Sequence, residues 1–266
     1  MLKIKKTAKQ AALEAGQILR KRFQNFDRGT VELKSGHEIL TQADLASEKK
    51  ILSIIKKNFP EHKILSEEAG QNKKESDYLW IVDPLDGTTN FSMHNPLFSV
   101  SIGVCYKNKV ILGLIYAPFL DELFLAEKGK GSRLHSPAGS EKGKKIRVSK
   151  VKKGKVINAF CHGNTEKDIN RAVKYHQRQK LDNFDCRQLG SAAIELAYVA
   201  CGRVESIVIP GAHSWDVAAG VLLVREAGGK VTDSRGKDWT LNSKDMLASN
   251  GLVHPQILNT LKNPKL

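Results

Sequence analysis

The residues best placed to do chemistry lie in one run, Trp80-Ile81-Val82-Asp83-Pro84-Leu85-Asp86-Gly87-Thr88-Thr89-Asn90-Phe91. An apolar strand delivers Asp83 at its end. Pro84 fixes φ and removes a backbone donor, which suits a sharp exit from that strand. Asp86 follows three residues on, near enough for both carboxylates to reach one small ion cluster. Gly87 permits close backbone approach, and Thr88-Thr89 can open a helix whose free N–H groups cradle a phosphate. Hard oxygen ligands beside an anion-binding turn suit Mg²⁺. A plain turn in which Asp and Gly make only local hydrogen bonds has the same pattern. Two further passages supply carboxylates. Ser66-Glu67-Glu68 follows a short apolar segment, and Ser214-Trp215-Asp216 starts a helix that continues Ala218-Ala219-Gly220. Asp216 in a first helical turn is favoured by the helix dipole and stays ionised. A capping role alone would account for it equally well.

The elements that must position these groups are legible in the periodicity. Ile4, Ala8, Ala11, Ala15, Ile18, Leu19 and Phe23 recur at helical spacing, predicting an amphipathic helix over 3–23. A second helix is predicted over 42–58, ended by Pro60. Apolar segments of strand length follow at 63–66, 78–82, 98–106, 109–116 and 122–127, with Asn108 and Gly129-Lys130-Gly131 as hairpin punctuation. This first half reads as helices followed by a mostly antiparallel sheet. After residue 150 the pattern becomes strand–helix alternation: strands at 155–160, 184–187 and 205–210, helices at 165–180, 191–201 and 215–227. The Lys-rich stretch 137–155 is the expected boundary between an N-terminal α+β part (1–150), with most of the carboxylates, and a C-terminal α/β part (151–266), which supplies Asp216 and substrate contacts.

Composition narrows the class. The chain has 266 residues, of which 41% are hydrophobic and 27% charged, a balance that argues against disorder. Its four cysteines form no Cys-x-x-Cys pair, so neither a structural zinc site nor a disulfide framework is suggested; they read as buried, reduced thiols. The basic N-terminus has no apolar core of a signal peptide. The apolar stretch 110–120 is too short for a bilayer, which needs roughly 20 residues. A cytoplasmic protein without membrane contact is expected. The formal charge of +15 attracts phosphates of any kind, nucleic acid and small phosphorylated metabolites alike, without choosing among them. Aromatics are only 6%, too few for evident single-strand stacking platforms.

Taken in order along the chain, Asp44 within Thr41-Gln42-Ala43-Asp44, then Glu67-Glu68, then Asp83-Pro84-Leu85-Asp86-Gly87-Thr88, then Trp215-Asp216-Val217-Ala218-Ala219-Gly220, the sequence resembles the inositol monophosphatase family of Mg²⁺-dependent, lithium-sensitive phosphatases. The similarity runs over nearly the whole chain. It implies an α+β fold, the five-layer αβαβα sandwich, commonly as a homodimer. It also implies two to three Mg²⁺ ions and hydrolysis of a phosphate monoester by metal-activated water. By resemblance, Glu67, Asp83 and the Leu85 carbonyl hold a first metal, Asp83, Asp86 and Asp216 a second, and a third leans on Glu67. Glu67, Asp44 and Thr88 are the catalytic set, with Asp44 and Thr88 pairing to help activate water. Leu85, Asp86, Gly87, Thr88, Gly190, Ser191, Ala192 and Asp216 are the expected substrate contacts, Gly87 and Thr88 through backbone N–H groups. Lys34 matches a loop lysine near the metals. No Ser, Cys or His nucleophile is required, so His94, His162 and His213 read as structural or rim residues.

One position departs from the family pattern. Inositol-hydrolysing members carry a Glu seven residues before the final motif Asp, and here that position is Ile209. The expected substrate is myo-inositol 1-phosphate, with fructose 1,6-bisphosphate, 3′(2′),5′-bisphosphate nucleotides, NADP and histidinol phosphate as alternatives. Arg187, Arg203, Lys34 and His213 are candidates for larger or more anionic substrates. A different class is also implied, because some bacterial relatives assist transcription antitermination as RNA-associated partners.

Overall fold

The computed structural model describes residues 1–28, 32–33, 39–136, 142–152 and 154–262. Its first helix, α1 (Leu2–Gln24), buries Ile4, Ala8, Ala11, Ala12, Ala15, Leu19 and Phe23, the stripe that a 3.6-residue period puts on one face. Strands β1 (Glu32–Leu33) and β2 (Ile39–Leu40) form a small antiparallel pair before the second helix. Helix α2 (Gln42–Asn58) starts at Thr41, whose Oγ1 accepts from Ala43 N at 3.1 Å, and stops at Phe59, since Pro60 disfavours helical backbone in the residue before it.

The next strands are β3 (Lys63–Ser66), β4 (Gly70–Gln71) and β5 (Tyr78–Asp86). After the short helix α3 (Thr88–Ser92) come β6 (Ser99–Tyr106), β7 (Lys109–Ala117), β8 (Glu122–Glu127), β9 (Gly131–His135) and β10 (Lys144–Ile146). They form one eight-stranded sheet in the order β10-β9-β8-β7-β6-β5-β3-β4. Every neighbouring pair is antiparallel except β3 and β5. Lys107 and Asn108, both at positive φ (47° and 60°), make the tight β6–β7 turn.

The rest of the chain is β11 (Ile157–Phe160), α4 (Glu166–Leu181), β12 (Asp185–Arg187), α5 (Ala192–Ala200), β13 (Ser206–Pro210), α6 (Ser214–Glu226), β14 (Lys230–Thr232), β15 (Asp245–Ser249) and α7 (His254–Lys262). Its five-stranded sheet has the order β12-β11-β13-β15-β14, parallel across β12, β11 and β13 and antiparallel beyond.

Three apolar cores stack these pieces into five layers. One core joins α1 and α2 to a face of the large sheet. The second sandwiches α5 and α6 between the two sheets, and the third covers the outer face of the small sheet with α4 and α7. Small residues set the central spacing. Gly103 and Gly113 pair directly across β6 and β7, and α6 lies on them: a Cβ on Gly113 would fall onto the Ala219 carbonyl, and one on Gly103 would stand 3.2 Å from the Ala218 methyl.

The helix at 42–58 and the strands at 63–66 and 122–127 have the expected bounds. Several elements carry too weak a period to be read in advance: β1, β2, β4, β9, β10, β14, β15 and α7. Five of the strands in that set are only two or three residues long, with no room for alternation. The second sheet is mixed, because β15 runs antiparallel to β13. Residue 34 and part of the expected boundary, 137–141 and 153, lie outside the described residues.

Candidate active site

Strand β5 does not end at Asp83. It continues through Asp86 with a change of register: Asp83 lies opposite Ser101, yet Asp86, three residues on, lies opposite Ser99, two residues back. The extra residue makes a β-bulge, and Pro84 sits inside it, where a strand tolerates a missing N–H. The bulge puts both carboxylates in the same neighbourhood. Asp83 is buried, and its Oδ1 accepts from Leu85 N at 3.0 Å. The Pro84 carbonyl accepts from Ser47 Oγ of α2 at 2.6 Å, pinning the bulge to the helix layer.

Parallel pairing of β3 with β5 sets Ser66 beside Val82, and Glu67 N donates to the Val82 carbonyl at 3.1 Å. Glu67 therefore leaves β3 next to Asp83, and the two carboxyl groups share a hydrogen bond. Helix α6, lying on β5, β6 and β7, brings Asp216 in from the other side. Burial pushes the Asp83 carboxyl well above the usual range, and Glu67, Asp86 and Asp216 push it further. Asp216 also caps its own helix, its Oδ2 accepting from His213 N at 2.9 Å, as the capping reading expects.

Asp86 is turned onto the start of α5. It accepts from Ser191 Oγ, from Ala192 N at 3.0 Å, from Ala193 N at 3.1 Å and from Ser99 Oγ at 3.3 Å. Burial raises its pKa to about 6, with the Ser191 and Ala193 bonds opposing. Asp44 is buried too and is pushed up to about 6, burial again outweighing the Thr41 and Thr88 hydrogen bonds. Thr88 Oγ1 stands 3.1 Å from Asp44 Oδ1 and 2.9 Å from the Leu85 carbonyl, so the expected pair is in contact. Gly87 has φ +89°, and a Cβ there would stand 2.9 Å from the Leu97 carbonyl and 3.2 Å from that of Gly190. The turn after Asp86 and the Gly190-Ser191-Ala192 segment are thus in close contact, although more than 100 residues separate them.

These groups fit a divalent metal chemically. The donors are all oxygen: four neighbouring carboxylates and the Leu85 carbonyl, the set preferred by Mg²⁺. Their mutual repulsion in a buried setting needs a cation or protons to offset it. Among the described residues no three His, Cys, Asp or Glu side chains surround one point in metal-ligand geometry; Asp86 in particular is engaged by protein donors.

Supporting residues with no obvious motif also emerge. Glu48, buried on α2, accepts from Ser66 Oγ at 2.5 Å, from Glu68 N at 3.2 Å and from Ala69 N at 3.0 Å, bracing the turn that bears Glu67. Its signal was a carboxylate on the apolar face of an amphipathic helix, in line with Ile51, Leu52 and Ile55. Asn90 donates to the Leu97 and Leu189 carbonyls, both at 2.7 Å.

Other expectations are settled differently. Ile209 is 2% exposed in the central core, so its side chain lies within the packing. Arg203 pairs with Glu122 and lies over the Tyr198 ring at 4.6 Å, and Arg187 lies 3.2 Å from Asp185; both have partners of their own. Lys34 lies outside the described residues. His94 packs against Phe23 and Phe26, His162 Nδ1 is 2.9 Å from the Gly163 carbonyl, and His213 stacks on Trp215 with centroids 4.6 Å apart. All four cysteines are free; Cys201 is only half-buried, the others buried as expected. No helix among the described residues is long and apolar enough to cross a membrane.

Known proteins share this architecture. The model of the inositol monophosphatase family matches residues 1–265. The Nus factor SuhB of Pasteurella multocida is 36% identical over 256 residues, covering 95% of this chain and 93% of that protein. The fructose-1,6-bisphosphatase/inositol-1-monophosphatase of Thermotoga maritima is 38% identical over 235 residues, covering 87% of this chain and 86% of its own. The crystal structure of extragenic suppressor protein suhB from Bartonella henselae superposes with a TM-score of 0.89 at 33% identity, covering 98% of both chains. With a full-length match and the same layered fold, the chain belongs to the inositol monophosphatase family.

Proposed function

We propose that this protein is a Mg²⁺-dependent phosphatase acting on small phosphate monoesters. The observation that carries the reading is the company Asp83 keeps: a buried carboxylate whose leading electrostatic neighbours are Glu67, Asp86 and Asp216, drawn from three separate elements. In this reading Glu67, Asp83, Asp86, Asp216 and the Leu85 carbonyl hold two to three ions, which supply charge neutralisation and an acidified water. The chain's own groups do the rest. Gly87 and Thr88 offer backbone N–H groups to the phosphate, and Gly190, Ser191 and Ala192 line the alcohol side. Asp44, held by Thr41 and 3.1 Å from Thr88, is placed to accept a proton through the Thr88 hydroxyl. Glu67, whose carboxyl is hydrogen-bonded to that of Asp83, completes the catalytic set.

The default substrate is myo-inositol 1-phosphate. Isoleucine at 209 offers no hydroxyl acceptor, which favours broader specificity, with fructose 1,6-bisphosphate, bisphosphorylated nucleotides, NADP and histidinol phosphate as competitors. Phosphate release across this panel with Mg²⁺ tests the reading: turnover of at least one ester well above an Asp83→Asn control is expected, and none above the control would refute it.

A second reading rests on the relatives named Nus factor SuhB and on the +15 charge: association with transcription machinery in a cytoplasmic homodimer. Retention of an RNA polymerase–RNA complex through moderate salt supports it; loss in step with counterion release argues for charge alone.

A further inference from the structure

Among the described carboxylates that the proposed reaction does not use, Glu195 is the most deeply buried. Glu195 lies in the first turn of α5 at 0% exposure, inside the apolar run Ala192-Ala193-Ile194-Glu195-Leu196-Ala197. Its Oε1 accepts from Leu189 N, and Gly190 N also donates to the carboxyl group. On the other oxygen, Cys161 Sγ, in the loop after β11, lies 3.0 Å away. Burial is the main reason its pKa rises to about 8, opposed by the bonds from Cys161 and from the Leu189 and Gly190 amides. Three donors offset the cost of burying this polar group.

What this group holds is the segment that touches the candidate site. The Leu189 peptide is gripped on both sides, its N–H by Glu195 and its carbonyl by Asn90 Nδ2 at 2.7 Å. Gly190 follows at φ +81° and presses on the Gly87 turn; Ser191 Oγ and the Ala192 and Ala193 amides then close on Asp86. We propose that Glu195 is a positioning residue, whose carboxyl clamps Leu189 and Gly190 against the Gly87 turn and thereby fixes the hydroxyl and amides that orient Asp86. It touches neither substrate nor reacting atoms. The functional consequence rests on the phosphatase reading above; the structural claim stands without it.

Two variants separate the clamp from generic packing. Glu195→Gln keeps reach, shape and an acceptor for both amides, whereas Glu195→Leu fills the space without accepting. Hydrogen exchange is read on the protein without added metal, and Mn²⁺ binding is read by calorimetry. Glu195→Gln is expected to match the parent within about threefold in both. Glu195→Leu is expected to lose at least tenfold protection at Ala192 and Ala193, with α4 amides unchanged, and to weaken Mn²⁺ binding about tenfold, the scale found for residues that orient ligands. If Glu195→Leu does not fold, Glu195→Asp, one methylene short, carries the same expectation. Unaltered protection at 192–193 in the folded variant overturns the clamp, as does a loss in Glu195→Gln equal to that in Glu195→Leu. A parent protein that hydrolyses no ester refutes the phosphatase reading while leaving the exchange result intact.

Discussion

At the scale of single residues, the molecule concentrates its electrostatic cost in one place. Asp83, Asp86 and Asp44 all have carboxyl groups raised by burial, while the surface is rich in Lys and Arg. Buried like charges destabilise a fold unless something offsets them, so their retention is a mark of function rather than of packing. Asp86→Asn and Asp216→Asn are each expected to lower Mg²⁺-dependent phosphate release at least about a hundredfold with far-UV circular dichroism unchanged, because each removes a charge and leaves the apolar cores intact. Unchanged turnover in either variant would sink the assignment. His254 gives a titration outside the site. It is buried between Ser249 Oγ at 2.8 Å and Thr232 Oγ1 at 3.0 Å, and burial, aided by Lys230, lowers its pKa from 6.5 to about 4. At His254 the folded state therefore binds fewer protons than the unfolded chain between these values, opposite in sign to the buried carboxyl groups. The contribution of His254 to stability is full above pH 6.5 and is expected to fall by about 3 kcal/mol as the pH drops to 4. Urea midpoints of the parent and of His254→Gln over that window check this: the stability of the parent relative to the variant is expected to decline as the pH falls, and a constant difference would contradict it.

At the scale of elements, the site depends on where strands and helices end. The bulge in β5 and the exit of β3 are fixed by α2, through Ser47 on the Pro84 carbonyl and Glu48 on the turn at 66–69. Thr41 caps that helix and holds Asp44 with its own amide at 2.9 Å and its hydroxyl at 2.6 Å. Thr41→Val should cost about 1 kcal/mol in chemical denaturation, the usual worth of a cap. It should also lower kcat more than it raises KM, since Asp44 is assigned to proton transfer and not to substrate affinity. A change confined to KM would contradict that assignment. The strands and helices with strong periods were legible in advance, as the helix at 42–58 illustrates. The bulge was not: Pro84 marks an interruption but cannot say whether the strand ends or slips, and only pairing with β6 decided for a slip.

At the scale of the whole molecule, Asp216 reaches Asp83 only because α6 lies close on the large sheet. The contact is made by Gly103 and Gly113 against Ala218 and Ala219. Gly113→Val places two methyl groups where the Ala219 carbonyl stands. Overpacking of this kind typically costs about 1–3 kcal/mol. The same variant is expected to lose phosphatase activity beyond what its melting temperature explains, because α6 carries Asp216 away from its neighbours. Retained activity at a temperature where the variant is folded would show that the helix position tolerates the shift.

The sequence alone determined the chemistry available. The types and order of Asp44, Glu67, Asp83, Asp86 and Asp216 are local facts, written in motifs a few residues long, and the family follows from them. Tertiary structure decided which of those groups are neighbours, and which residues hold them. Glu48, Asn90 and Glu195 act through contacts across 18 to 99 residues or through a fold-dependent loop, and no local spacing encodes such partners. Ile209 shows the same division: its identity was visible as a missing acceptor, but its place inside the core depended on how β13 packs against α5 and α6.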